Sequence, residues 1–311
     1  GIHFFLAEFA AVVLAGAALA ASGAVYQGTF HNPMASPTLL GVQSGGMLGK
    51  VVFSLLVITP TTYSVTTYEE RKLIYDSQSI LERYAGQLFV FAGCIVAVVI
   101  VVSVAKIAGR GKISTVAMIL AGTVFSSVIN TVTTGLQYTF SNFPSGSAAA
   151  AAVNSASTSS FGSTSNPQIL MLMAIPVIIC LVAVNLMGGK LNIIVFGEDE
   201  ARSLGMNVSL QRIILIGIST LLTATVIAFC GQIAFVGLIV PNLARRIVGP
   251  NFRHLLPAST MLGGILMLIA YDLTYIIGFT VNVGQVTSIA GGFVFLIIMT
   301  AYRRKRHGDW A

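Results

Sequence analysis

The chain has 311 residues, of which 55% are hydrophobic and only 9% charged, and its formal net charge is +7. Soluble globular domains carry about 25% charged residues, so this composition excludes an ordinary soluble domain and indicates a membrane protein. Strands of a membrane barrel alternate apolar and polar residues over about ten positions. The apolar runs of this chain are continuous, and we therefore predict an all-α, polytopic membrane protein.

Nine apolar runs are candidate membrane-spanning helices, each of which needs about 20 mostly apolar residues. They lie at 4–29, 39–59, 86–106, 113–136, 168–187, 211–230, 232–248, 257–277 and 285–302. The seventh run is short, and we expect a partial or broken helix there. Together the runs predict a single transmembrane domain over residues 1–311.

Lysine and arginine set the orientation, because they are enriched in the cytoplasmic loops of membrane proteins. If the first helix runs from outside to inside, nearly all of these residues fall in inner loops or in the basic tail at 303–311. The exceptions are Arg71, Lys72 and Arg83 outside and Lys50 within a helix. This distribution predicts a cytoplasmic C-terminus and accounts for the positive charge without a nucleic-acid partner.

The same topology places two long loops outside, at 60–85 and 137–167, and a polar segment inside, at 190–212. Within the inner segment, residues 197–209 read G-E-D-E-A-R-S-L-G-M-N-V-S. The acids would lie in a first helical turn, where they favour the positive end of the helix dipole, and Gly205 lies where a left-handed cap is expected. We predict a short amphipathic helix; a solvated loop with incidental charge is the alternative.

Two stretches invite a phosphate-loop interpretation, S-G-G-M-L-G-K-V at 44–51 and G-R-G-K-I-S at 109–114. A Walker A motif requires G-x-x-x-x-G-K-[S/T], and neither stretch has a hydroxyl residue after Gly-Lys. We expect no cofactor on this chain, and an energy source would have to be external. Gly45 and Gly49 instead favour close helix packing. No H-x-x-x-H or C-x-x-C motif occurs, so no locally built metal site is expected.

Lys50 is the most unusual charge inside an apolar run. It lies about 11 residues into its predicted helix, or roughly 17 Å from the end, and a charge at that depth usually faces a cavity or a partner. Lys50 either faces a pore and attracts an anionic substrate, or it snorkels or pairs with a carbonyl. Both interpretations stay open at this point.

The stretch of sequence most specific to a protein family is G-Q-I-A-F-V-G-L-I-V-P-N-L-A-R-R-I-V-G-P-N-F-R-H-L-L-P at 231–257. It resembles the signature of FecCD-type permeases, the membrane subunits of ABC importers for iron-siderophores, haem and cobalamin. N-P-M-A-S-P at 32–37, L-G-V-Q-S-G at 40–45 and G-E-D-E-A-R-S-L-G at 197–205 resemble further motifs of that family. The motif positions in the signature include Gly237, Pro241, Arg245, Gly249, Pro250 and Arg253.

The resemblance implies the permease fold of a type II ABC importer and inward movement of a metal chelate by alternating access, with no catalytic residue on this chain. The implied partners are a second permease subunit (homodimeric or heterodimeric), a cytoplasmic ATPase dimer that binds ATP and Mg, and an extracytoplasmic binding protein. The implied location is a bacterial cytoplasmic membrane. Ferric siderophore, haem and cobalamin all remain open as cargo.

The resemblance also implies roles for individual residues. The predicted ATPase-coupling residues are Gly197, Glu198, Ala201, Ser203, Leu204 and Gly205. A cytoplasmic gate is predicted at Ser114 and Thr115, and the translocation path along the helix at 113–136. Asn130, Thr131 and Thr134 are weaker path candidates, chosen because polar residues in mid-helix need a polar neighbour.

Three departures from the family pattern qualify these roles. Family members usually have about ten helices, so we expect that a first helix is missing from this chain. The usual R-x-P-R is replaced by Phe5-Leu6-Ala7-Glu8, which leaves Arg71, Lys72 and Arg83 as the outer basic residues for docking a binding protein. The usual histidine after V-P is Asn242.

An ion-coupled secondary transporter of a small solute is the alternative function. Such transporters often carry coupling carboxylates near the middle of the bilayer, whereas Glu8 and Asp272 lie nearer the outer ends of their predicted helices. That alternative would also leave the stretch at 197–205 unexplained.

Overall fold

The computed structural model of the protein describes residues 2–57, 80–109, 115–141, 161, 164, 166–277 and 282–308. Within these residues the regular secondary structure consists of α-helices and one 3-10 helix at Pro37–Leu40, and no strand is assigned. The helices are α1 (Ile2–Thr29), α2 (Val42–Val57), α3 (Ile80–Ala108), α4 (Thr115–Ser141), α5 (Pro167–Leu186), α6 (Gly188–Phe196), α7 (Glu198–Ser203), α8 (Val208–Cys230), α9 (Val236–Val248), α10 (Phe252–Ile277) and α11 (Val283–Gly308).

Each of the nine predicted apolar runs overlaps one of these helices within the described residues, and the all-α prediction is confirmed. Within the described residues, six helices are long and apolar enough to cross a membrane: α1, α3, α4, α5, α8 and α10. Of the three other predicted spans, α9 has 13 residues, and α2 and α11 are described over 16 and 26 residues. The short seventh segment was therefore predicted correctly.

Several predicted helix boundaries are wrong, because left-handed residues interrupt the apolar runs. α2 begins at Val42 rather than at 39, since Gly41 has φ 73°. α9 begins at Val236 rather than at 232, since Phe235 has φ 66°. A residue at positive φ cannot continue a right-handed helix. At the predicted outer loops, α3 already begins at Ile80 and α4 continues to Ser141.

The chain divides into two compact units. The first contains residues 1–36, 160–222 and 233–311. Its central helix is α1, which is buried without interruption from residue 15 to its end at Thr29 and packs against α9 and α10. Gly16 of α1 and Gly263 of α10 meet backbone to backbone, because a Cβ on either glycine would overlap the carbonyl of the other. Such close approach needs glycine on both helices.

The second unit contains residues 37–159 and 223–232. Its main contact joins α2 to α3, where Gly45 and Gly93 face each other in the same reciprocal way. One turn further along α2, Gly49 lies against the backbone of Phe89. The close helix packing predicted from Gly45 and Gly49 is confirmed.

Candidate functional site

The polar stretch predicted to face the cytoplasm forms a short helix in the first unit. α5 ends at Leu186, α6 follows almost at once, and Gly197 separates α6 from α7. Residues 204–207 then lead into α8, whose first turn is capped where the Asn207 side-chain oxygen accepts a hydrogen bond from the Leu210 amide at 3.0 Å. The predicted short helix is confirmed as secondary structure, and the solvated loop is not observed.

The C-terminal end of α7 is a Schellman motif, in which a left-handed residue follows the helix. Gly205 is that residue, with φ 77°. The Met206 amide donates to the Ala201 carbonyl at 3.0 Å, and the Gly205 amide donates to the Arg202 carbonyl at 2.9 Å. The expected left-handed cap at Gly205 is confirmed, and it holds the end of α7 in one conformation.

The N-terminal end of α7 depends on a close approach at Gly197. The carboxylate of Glu200 folds back over the Cα of Gly197, and a Cβ at position 197 would overlap it. The Ala201 amide donates to the Gly197 carbonyl at 3.1 Å. Gly197 therefore allows one of the acids to fold back onto the helix start instead of projecting away from it.

α7 rests on one small residue and exposes the rest of its described surface. Ala201 is completely buried, whereas Asp199, Glu200, Arg202 and Ser203 are exposed. Leu204, directly after the helix, has 70% of its surface exposed. An exposed leucine here would add an apolar contact to any partner protein that covers this surface.

α6 supports this surface and adds a large apolar residue to it. Leu191 and Ile194 are fully buried, and Leu191 packs near Gly28 of α1. Phe196, the last residue of α6, is 85% exposed. Sequence reasoning missed Phe196, because it ends the apolar run I-I-V-F and nothing in that run distinguishes an exposed position from a buried one.

Asn192 joins α6 to α10. Its side-chain oxygen accepts from the Phe252 amide at 2.8 Å, which caps the first turn of α10, and its side-chain nitrogen donates to the Asn251 side-chain oxygen at 2.7 Å. That oxygen also accepts from the Arg253 amide at 3.0 Å. The segment that carries α7 is thereby held against the start of a long helix.

The residues of the family signature occupy packing and turn positions. Gly23 of α1 allows the backbone of Gly237 in α9 to approach closely, and Pro241 is buried inside α9. Arg245 donates to the Gln27 side-chain oxygen at 3.3 Å. Gly249 ends α9 at φ 85°, and the Arg253 guanidinium lies against Gly189. Pro250, between them, is exposed.

The predicted path residues lie in the second unit. Lys50 is half-buried in α2. Asn130, Thr131 and Thr134 are exposed on α4. The Thr131 hydroxyl donates to the Ser127 carbonyl and the Thr134 hydroxyl to the Asn130 carbonyl, both at 2.8 Å. The polar neighbours of the two threonine hydroxyls are therefore carbonyls of their own helix rather than groups on another helix.

Other predicted residues fall outside what the structure describes. Ser114, Arg71 and Lys72 lie outside the described residues, and Thr115 and Arg83 lie in α4 and α3 without a described side chain. The same holds for the side chain of Glu198 in α7. The gate and docking assignments stay predictions. Among the described side chains, no group of three or more His, Cys, Asp or Glu could hold a metal ion.

Known proteins resemble this chain along nearly its whole length. The sequence profile of the FecCD transport family matches residues 2–301. The Fe(3+)-citrate import system permease protein YfmE of Bacillus subtilis (strain 168) is 31% identical, over 94% of this chain and 80% of the relative. The cobalamin import system permease protein BtuC of Halobacterium salinarum is 30% identical, over 91% of this chain and 69% of the relative.

A solved structure extends this likeness to the fold. It is an inward-facing conformation of a transporter described as being of the metal-chelate ABC type, and it superposes with a TM-score of 0.74. The match covers 95% of this chain and 86% of the other, at 24% sequence identity. At that identity the comparison concerns the arrangement of helices alone.

Proposed function

The chain belongs to the FecCD transport family, and we propose from this premise that α7 is the element through which a partner ATPase drives it. As a member of that family it is a multi-pass membrane protein, the permease subunit of an ABC importer with the type II fold. These findings favour the importer over the ion-coupled alternative. We further propose that the C-terminus is cytoplasmic and that a second permease subunit and an extracytoplasmic binding protein complete the transporter.

The cargo that we propose is a metal chelate of the ferric siderophore, haem or cobalamin class. Its support is the pair of relatives named for Fe(3+)-citrate and cobalamin import. Binding of ferric citrate, haem and cobalamin to the partner binding protein would distinguish these chelates. A binding protein that takes none of them and instead takes an uncomplexed small solute would contradict the proposed class.

The observation that carries the coupling role is the combination of rigidity and exposure in α7. A partner can transmit force only through a surface that it can reach and that does not deform. α7 is stiff, because Gly205 caps its end and Ala201 anchors it in the core. It is accessible, because its acids and Leu204 are exposed. Burial of a leucine side chain in a partner groove would contribute about 1.5–3 kcal/mol.

The mechanism that follows is alternating access. Closure of two ATPase subunits would displace α7, and the displacement would reach the long helices because Asn192 holds α6 to the start of α10. The outward-facing and inward-facing states would then be two packings whose balance the nucleotide state shifts. In this mechanism the present chain contributes binding and movement, whereas ATP is hydrolysed by the partner ATPase.

We expect Leu204→Asp to weaken association with the ATPase by roughly ten- to a hundredfold, since it removes an apolar contact of about 1.5–3 kcal/mol and adds a charge. Pull-down and ATP-dependent uptake in proteoliposomes measure the effect. Ile247→Asp is the matched control, because Ile247 is 71% exposed but lies at the end of α9. Two results would refute the proposal. One is undiminished association with the ATPase when Leu204→Asp is combined with Glu198→Lys, and the other is uptake that continues without ATP hydrolysis.

A further inference from the structure

His31 occupies a backbone position that normally belongs to glycine. It follows the end of α1 with φ 50°, and Phe235 is the other described non-glycine residue at positive φ. The His31 amide donates to the Gly28 carbonyl at 3.3 Å and the Asn32 amide to the Gln27 carbonyl at 3.1 Å. This pair of bonds is a Schellman motif, whose left-handed residue is usually glycine. A residue with a Cβ is strained there, which points to a task for the side chain.

The imidazole of His31 reaches the end of α6. Its Nε2 lies 3.1 Å from the carbonyl oxygen of Ile194, which is in the last turn of that helix and is fully buried. Carbonyls in the last turn of a helix generally have no partner within the helix, and a ring N–H can donate to one of them. Ile194 is three residues before Gly197, so this bond fixes the point from which α7 starts.

The turn that contains His31 is bonded to α9 on its other side. We call residues 30–36 the α1 turn. The Asn242 side-chain nitrogen donates to the Pro33 carbonyl at 2.9 Å and to the Leu238 carbonyl of its own helix at 2.8 Å. Asn242 is only 5% exposed.

The α1 turn is also stiff in itself. The Asn32 side-chain oxygen accepts from the Met34 amide at 2.9 Å, and the Asn32 carbonyl accepts from the Ala35 amide at 3.0 Å. A stiff turn with one bond to α6 and another to α9 can transmit a displacement between them, because the acceptor at α6, Ile194, and the donor at α9, Asn242, are both buried.

We propose that His31 is a positioning residue of the transport cycle. It holds the end of α6, and with it α7, to the α1 turn, and through Pro33 and Asn242 it passes movement of α7 on to α9. This inference rests on the proposed coupling function of α7 and adds a second route of transmission, beside the one through Asn192 and α10.

Replacement of His31 by glycine separates this role from a structural one. His31→Gly relieves the left-handed backbone and removes the side-chain bond, so the midpoint of thermal unfolding in detergent should stay unchanged or rise. Uptake per ATP hydrolysed, and stimulation of the ATPase by the loaded binding protein, should fall by roughly two- to tenfold, the effect of one hydrogen bond. A parallel fall in unfolding midpoint and uptake would assign His31 a structural role and overturn the inference.

Asparagine and glutamine form a matched pair at the same position. Asparagine tolerates a left-handed backbone, but its amide is too short to reach Ile194, whereas the glutamine amide extends about as far as Nε2 of histidine. His31→Asn should therefore resemble His31→Gly in uptake, and His31→Gln should recover a large part of the coupling. Equal coupling in the two variants would contradict a role for the bond to Ile194.

Hydrogen exchange gives a readout that does not depend on transport. Amides of residues 195–206 should exchange faster in the assembled His31→Gly transporter, while those of 255–262 in α10 should not change. If wild-type uptake requires ATP and responds to Leu204→Asp but His31→Gly matches wild type in uptake and exchange, only the role of His31 is refuted. If wild-type uptake needs no ATP, the proposed function fails. Independently of uptake, unchanged exchange at 195–206 in His31→Gly would refute the attachment of α6 through the His31 bond to Ile194.

Discussion

α1 and α4 satisfy their polar side chains in opposite ways. On α1 the side chains of Ser22 and Tyr26 are buried and bond to another helix: Ser22 donates to the Ser219 carbonyl at 2.9 Å, and the Tyr26 hydroxyl lies 2.8 Å from that of Thr220. On α4 the hydroxyls of Ser127 and its neighbours are exposed and donate to carbonyls of the same helix. These side chains thus find hydrogen-bond partners on a different helix in α1 and on the same helix in α4.

The difference decides what each helix can do. Hydrogen bonds between helices fix a relative position, and movement would leave buried groups unbonded at a cost of about 1–3 kcal/mol each. Bonds to the preceding turn of the same helix survive any movement of that helix. α1 is therefore built as a fixed centre of the first unit. α4 can change its surroundings without losing hydrogen bonds, as a helix along a translocation path would have to.

The largest effect should come from adding one methyl group to α1. Gly16→Ala places a Cβ against the backbone of Gly263, which cannot move aside as a side chain would, and we expect a loss of about 2–3 kcal/mol in stability. Gly135→Ala on α4 is the matched control, because nothing lies within 4 Å of the new Cβ. It should be neutral or stabilise by up to about 1 kcal/mol. Thermal unfolding in detergent compares the two, and equal midpoints would refute α1 as the fixed centre.

A smaller loss is expected when α1 loses a bond between helices. Gln27 donates to the Leu238 carbonyl at 3.1 Å and accepts from Arg245 at 3.3 Å, and it is almost fully buried. Gln27→Met keeps the length of the side chain but neither bond, and should destabilise the protein by about 1.5–3 kcal/mol. The same unfolding measurement tests this. A midpoint within error of wild type would show that these bonds do not hold α1 in place.

Much of this architecture could be predicted from the sequence, because its causes are local. Continuous apolar runs identify membrane helices whatever surrounds them. α7 was predicted because three consecutive acids and Gly205 mark the start and the end of a helix. The spacing of Gly45 and Gly49 on α2 likewise predicts the close helix packing that the structure shows.

The remaining features depend on partners that are distant in sequence. His31 and Ile194 are 163 positions apart, and Asn242 and Pro33 are 209 apart, so no local pattern reveals either bond. The left-handed Phe235 shifted the start of α9, and a phenylalanine gives no warning of that conformation. The path residues on α4 were chosen for a polar neighbour elsewhere, but an exposed threonine can find its partner one turn back on its own helix.

The smallest effect on stability should come from α4, where two threonines two residues apart differ mainly in exposure. Thr131 is exposed and Thr133 is fully buried, yet each hydroxyl donates to a carbonyl four residues earlier, at 2.8 and 2.7 Å. Thr131→Val keeps the shape and removes only an intrahelical bond, so stability should change by less than about 0.5 kcal/mol.

Measurements of uptake then distinguish Thr131 from Thr133. If the exposed face of α4 lines the path, Thr131→Val should alter chelate uptake in proteoliposomes at unchanged stability, because it replaces a hydroxyl that the cargo passes. Thr133→Val, the control on the buried face, should leave uptake at the wild-type rate. A stability loss at Thr131 comparable to that of Gln27→Met would mean that α4 is held from outside as α1 is. Equal uptake in both threonine variants would remove Thr131 from the path.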